Sequence, residues 1–491
     1  MEGLLLLRVL VVVCLLHSTF TESLDEVLSN YDRLHHLHIK HHIVKRSTDF
    51  SPGHIRDVTF DTLGRHFHAR LQSKQSLLAS DFAAYVIDAN NQKREIYVDQ
   101  DDIYEGFLVN EPESEVHAHW EGEAMLAKIK TKSEVYYIEP AWRFLNESDE
   151  NEMITYRASD MKSDVKKNVK SHIGKKFCGY VDVPENLTAK SEAKHRNKRE
   201  VEVLKIAKNT KEVKDTCSLL LVADYRFFKN MGQNSTSRTS NYLIGLIDRV
   251  DAIYRSTEFG GKYQKMGFEV KEIRIHDEAS TPIPGKEHYN ERKDFPDRWD
   301  TKALLEAFSS NDYSEFCLAH LFTALADEQT GMLGLSYVAK ASLYKPGGVC
   351  SHQVYYKGEK ALYLNTGWSS SLNSYNRRIL TQEADLVTTH EFGHNWGSEH
   401  DPDTDSCSPN AEAGGKFIMY TYSVPGYDPN NKLFSPCSRA AMREVLEAKS
   451  RNCFIERRGA YCGNQKVEGK EECDGASTKT TARRELAHSA L

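Results

Sequence analysis

The chain has 491 residues, 40% of them hydrophobic and 10% aromatic, with 64 Lys+Arg against 71 Asp+Glu and a formal charge of −7. That length predicts about two to four domains with ample core. The 28 Gly and 13 Pro exclude a collagen-like or largely disordered chain, and the missing basic excess argues against a general nucleic-acid binder.

The first feature is an apolar run, Leu4 to Leu16 interrupted by Arg8. It is shorter than the about 20 residues a membrane-spanning helix needs, and small polar residues follow it, so residues 1–21 read as a secretory signal peptide. No later stretch reaches spanning length. Asn146, Asn186 and Asn234 each open an Asn-x-Ser/Thr sequon suited to that compartment. A histidine-rich tract at 35–42 has no fixed ligand geometry and reads as a solvated, dispensable segment. Residues 55–160 carry short β-like runs (82–88, 124–129, 135–139) between polar turns, predicting a small mostly-β unit. A polar, basic stretch then ends in Arg196-Asn197-Lys198-Arg199, which predicts cutting between Arg199 and Glu200 by a basic-specific proprotein convertase.

From Thr216 the pattern changes to α/β. Strands are predicted at 218–223, 268–275, 318–323 and 333–338, and helices at 241–254, 302–308, from about Glu383, and 439–449.

Within this layer, His390-Glu391-Phe392-Gly393-His394 precedes Gly397 and His400. Two histidines four apart share one helix face. Gly397 can turn the chain left-handed so that His400 returns as a third ligand. Three imidazoles leave a fourth tetrahedral position open, as in catalytic rather than structural zinc sites. The cofactor expected is therefore one Zn²⁺, with Glu391 as general base for the attacking water and proton donor to the leaving amine. Met419 follows nineteen residues after His400 and fits a Met-turn beneath the metal.

Ten cysteines include Cys14 in the leader, so the remaining nine cannot all pair within the chain. Six lie between Cys217 and Cys453, and Cys462 and Cys473 come last. Cys178 stands alone upstream of the cleavage site, and a thiolate could occupy the open metal position and keep the enzyme latent. An intermolecular disulfide and a buried thiol are the competing readings.

At these residues the sequence resembles the ADAM (adamalysin) metalloproteases, which belong to the metzincins. The carriers are 381–403 (TQEADLVTTHEFGHNWGSEHDPD), 414–420 (GGKFIMY), 317–323 (CLAHLFT), 241–248 (NYLIGLID), 334–338 (GLSYV), 137–145 (YIEPAWRFL) and 178–180. The resemblance implies an α/β metzincin zinc-protease domain, with a mixed sheet, helices and Met-turn, preceded by a mostly-β prodomain. It divides the chain into a signal (1–21), an inhibitory prodomain (22–199), a protease domain (200–457), the start of a disintegrin-like domain (458–474) and a divergent tail (475–491). It implies bridges Cys217–Cys317, Cys350–Cys453 and Cys407–Cys437. Substrate contacts are implied at Leu333, Gly334 and Leu335, with Tyr422 and Val424 in the pocket wall. The implied substrates are the stalks of membrane-anchored proteins, cut beside small or aliphatic residues. Phe392 and Trp396 read as packing. Family members continue with further cysteines and, in many cases, a membrane anchor. As written the chain is expected to be secreted, either as an active sheddase or as a non-catalytic competitor of a full-length one. An alternative transcript, a truncated form and a gene-model error all remain open for its tail.

Overall fold

Two β-sheets and a helical layer between them carry the site. The computed structural model describes residues 24–44, 55–73, 77–99, 102–145, 147–162, 178–183, 213–293, 297–356, 360–422, 426 and 428–457. The leader, the Arg199–Glu200 junction, Asn146, Asn186, Val424, Cys462, Cys473 and the tail lie outside them.

The N-terminal region is mostly β. After a short helix α1 (Leu24–Val27), the strands β1 (Asp32–His35), β2 (Lys40–Val44), β3 (Ile55–Thr62) and β4 (Arg65–Ser73) join β7 (Ile103–Leu108), β8 (Glu111–Glu121), β9 (Ala124–Lys130), β10 (Val135–Pro140) and β11 (Glu152–Arg157). They form a nine-stranded antiparallel sheet in the order β1-β11-β10-β9-β8-β7-β4-β3-β2. In β4 burial alternates along the strand, as a sheet with one wet face requires.

Two expectations change here. The histidine-rich tract is not simply a solvated segment: it runs from the end of β1 into β2, with Leu34 buried just before it and Ile39 buried within it. Alternating apolar residues anchor strands whose other positions face solvent. The β unit also starts at Asp32 rather than 55, and it surrenders two strands. β5 (Leu78–Ile87) and β6 (Lys93–Ile96) belong to the second sheet.

That second, mixed sheet adds β12 (Cys178–Val181), β13 (Thr216–Ala223), β14 (Gly267–His276), β15 (Leu318–Thr323), β16 (Gly334–Tyr337) and β19 (Thr366–Ser370). Its order is β12-β16-β19-β15-β13-β14-β5-β6. β13 is buried at every position because helices cover both faces. On one face Leu219 and Leu221 pack with α3 (Thr236–Ser256) and α5 (Thr381–Asn395); on the other, Leu220 and Val222 pack with α4 (Thr301–Phe308). The hairpin of β17 (Gln353–Tyr356) and β18 (Lys360–Tyr363), the short α2 (Tyr225–Asn230) and the final α6 (Pro436–Cys453) complete the layer. Caps mark the helix starts: Ser235 for α3, Asp300 for α4, and Ser435 with Pro436 for α6.

Strands β8–β10 lie against α3 and α5 through buried polar contacts. Glu139 accepts from the Thr381 backbone N–H and hydroxyl (3.0 and 2.6 Å). His117 Nδ1 lies 2.6 Å from Asp248. Arg249 Nε donates to both oxygens of Asp385 (2.9 and 3.0 Å), and Lys128 Nζ stands 3.6 Å from the same carboxylate. Three disulfides, Cys217–Cys317, Cys350–Cys453 and Cys407–Cys437, are present. Among the described residues no helix is long and apolar enough to cross a membrane.

Candidate metal centre

Helix α5 places His390 and His394 one turn apart, with ring centroids 4.6 Å from each other. The helix stops at Trp396, and Gly397 adopts φ +108°, a conformation that costs other residues far more. Its N–H donates to the His394 carbonyl and that of Ser398 to Gly393, each at 2.9 Å. The reversed chain brings the His400 ring to 5.3 Å from His390 and 4.9 Å from His394. One ring nitrogen from each histidine lies within 4.8 Å of the others.

The outer nitrogens are already committed. Nδ1 of His390 lies 2.8 Å from the Ile418 carbonyl, and Nδ1 of His394 lies 2.7 Å from that of Ser398. A carbonyl accepts only from N–H, so each Nε2 carries the lone pair, the arrangement usual for metal-ligating histidines. Both Nε2 atoms are buried and have no hydrogen-bond partner among the described residues. Burial holds His390 down to about 4, and His394 falls well below the usual histidine range through burial and then its neighbours His390 and His400. Neutral rings aimed at a shared point could hold a cation, which needs deprotonated ligands.

Contacts of the next residue, Asp401, brace the turn that carries His400. The Asp401 N–H donates to the Met419 carbonyl (2.8 Å), and the Asp401 carboxylate accepts from Ser435 (2.5 Å) and Ser438 (2.6 Å) at the start of α6. Met419 is fully buried against α5, close enough that a Cβ on Gly393 would come 2.3 Å from its sulfur.

Glu391 is fully buried beside the histidines. Burial pushes its carboxyl up to about 8, against the lowering pull of the Cys178 thiol and the Ser336 hydroxyl. Cys178, the free cysteine of the described residues, is also fully buried, and its sulfur lies within 4.8 Å of a His390 ring nitrogen and a Glu391 oxygen. Burial, then the Glu391 charge, lifts that thiol well above its usual range. Strand β12 carries it there by pairing in parallel with β16, Cys178 opposite Gly334 and Val181 opposite Tyr337. Two residues along the same strand side, the Tyr180 ring packs 4.9 Å from His394 and 5.3 Å from His400. Lys340 pairs with both Asp182 (2.6 Å) and Glu399 (2.9 Å) just beyond.

Gly334 and Leu335 are therefore paired with β12, and Leu333, one residue before that ladder, is buried, whereas Tyr422 stays at the surface, 42% exposed. Asn234 is exposed, and Phe392 and Trp396 lie wholly in the core. Tyr180 and Ser336 escaped the reading of the sequence. The two-residue spacing from Cys178 would have placed Tyr180 on the same strand side. No motif marks Ser336.

Residues 213–435 match the reprolysin model of metallo-peptidase family M12. A disintegrin and metalloproteinase domain-containing protein 17 homolog from Caenorhabditis elegans is 39% identical over 298 residues, which is 56% of this chain and 42% of that protein. Disintegrin and metalloproteinase domain-containing protein 10 is 29% identical over 494 residues in Bos taurus and 28% in Homo sapiens, covering 96% of this chain and 63% of each relative. The chain thus shares a metallo-peptidase region at 213–435 and is similar over most of its length to disintegrin and metalloproteinase domain-containing proteins. It spans from 42% to 63% of the length of these relatives. The match to metallo-peptidase family M12 implies a metal, typically zinc. The donor set fits one: three imidazoles, two of them with buried nitrogens otherwise unsatisfied.

Proposed function

We propose that this chain is the latent form of a zinc-dependent endopeptidase of the secretory pathway, with His390, His394 and His400 as metal ligands, Glu391 as the catalytic residue and Met419 in the Met-turn. The observation that carries the reading is the convergence of three ring nitrogens within 4.8 Å beside a buried carboxyl. When bound, zinc supplies Lewis acidity toward a peptide carbonyl and toward water. Glu391 takes the proton of the attacking water and returns it to the leaving amine, so peptide hydrolysis needs no covalent intermediate. Its raised affinity for protons suits both halves of that transfer. The stretch 333–335 lies along the peptide, with Tyr422 in the wall of the adjoining pocket.

Residues 22–199 are the inhibitory prodomain and 200–457 the protease domain, with a disintegrin-like domain opening at 458. Cys178 supplies the sulfur that blocks the metal, and β12 fills the cleft until a proprotein convertase cuts after Arg199. The free, buried thiol at the site supports this reading over an intermolecular disulfide. The substrates are stalks of membrane-anchored proteins, released as ectodomains.

Protein cut at Arg199 should bind about one zinc and cleave a quenched stalk peptide. Glu391→Ala should keep the metal and lose nearly all turnover. Turnover at the wild-type rate in that variant would overturn the mechanism.

A further inference from the structure

We propose that Ser336 is a positioning residue for Glu391: its hydroxyl holds Oε2, so that Oε1 is the oxygen presented to the reacting water. This rests on Glu391 being the base. Ser336 Oγ donates to Glu391 Oε2 at 2.7 Å, and both residues are fully buried. Oε1 meets no hydroxyl or N–H donor among the described residues, and the neighbour the carboxyl does have besides Ser336 is the Cys178 thiol, within 4.8 Å of one of its oxygens. The carboxyl is therefore divided, with one oxygen tied to the sheet and the other left for chemistry once the Cys178 thiol is withdrawn.

The surroundings are shaped for this pair. On β19, Gly367 stands opposite Ser336, and a Cβ there would lie 2.3 Å from the Ser336 hydroxyl oxygen. On β16, a Cβ at Gly334 would lie 2.4 Å from Glu391 Oε1. Two glycines on neighbouring strands thus clear space on either side of a single hydrogen bond. The helix cannot drift away from it either. Asn395, at the end of α5, donates to the carbonyls of Tyr337 and Thr366, each at 3.0 Å, tying the helix to both strands. A hydroxyl bonded to a carboxylate makes a strong, directional contact, and removing it strands a buried oxygen without a donor.

The test uses the processed enzyme with its zinc. Ser336→Ala should lower kcat about tenfold or more, the worth of one charge-assisted bond, while KM and zinc content stay as in wild type. Gly367→Ala, which displaces the hydroxyl without removing it, should reproduce that loss. Thermal unfolding of the uncut chain gives a readout independent of turnover. Ser336→Ala should lower the melting temperature in the wild-type background and much less in the Glu391→Ala background. Unchanged kcat, a loss confined to KM, or equal melting shifts in both backgrounds would overturn the assignment. Should Glu391→Ala itself keep turnover, the base reading fails and takes this one with it. Should Glu391→Ala be dead while Ser336→Ala is fully active, only the role of Ser336 fails.

Discussion

Replacing Cys178 by alanine in the uncut chain separates two ways of keeping the site closed. The substitution removes the sulfur beside His390 and Glu391 but leaves the rest of β12 in place. That strand is held by a four-residue parallel ladder, from Cys178 opposite Gly334 to Val181 opposite Tyr337. The Val338 N–H donates to the Val181 carbonyl (3.2 Å), and Tyr180 lies on two histidine rings. At about 0.5–1.5 kcal/mol net per backbone hydrogen bond, such a ladder contributes about 2–6 kcal/mol. At 1.4 kcal/mol per factor of ten, that closes the cleft by about thirty-fold to 10⁴-fold with no sulfur present. The expected outcome is a Cys178→Ala precursor more active than the wild-type precursor yet at least about thirty-fold below the processed enzyme. The assay is kcat/KM on one quenched peptide for the three forms. Equality of the uncut variant with processed enzyme would refute a steric role for β12, and no gain at all would refute the thiol's role.

Stripping the processed enzyme with a chelator should abolish turnover and lower the melting temperature, because a ligand bound at a hundred times its Kd stabilises by about 2.7 kcal/mol. Zinc should restore both, and an unmoved melting curve would count against a metal among these histidines. Gly334→Ala should cut kcat at least about tenfold with zinc retained, since its Cβ would meet Glu391 Oε1 at 2.4 Å; full activity would show that this contact is not needed. Asp385→Ala leaves Arg249 and Lys128 buried without their shared carboxylate, which should cost the precursor about 3–5 kcal/mol in denaturant unfolding. A change under about 1 kcal/mol would mean that solvent reaches the site.

The cluster of three histidines was legible because its geometry is mostly local. A four-residue spacing fixes two imidazoles on one helix face whatever surrounds them, and Gly397 ends the helix within reach of His400. The start of that helix was less legible. α5 runs from Thr381, with nearly every residue buried, so no solvent-facing stripe gives it an amphipathic period. Cys178 stood out only through the odd cysteine count.

Sequence alone determined the residue types that can ligate a metal, their helical spacing and the change from β-like to α/β patterning near Thr216, because each depends on neighbours a few positions apart. Only the tertiary structure decided that β5 pairs with β14, Val270 opposite Leu78 and His276 opposite Ile87, and that β12 occupies the other edge of the same sheet. Strand partners separated by such long stretches of chain are chosen by which exposed edge the folded core leaves free, and no local pattern encodes that choice. The Ser336–Glu391 hydrogen bond belongs to the same class: it exists because a helix and a strand pack at one particular distance.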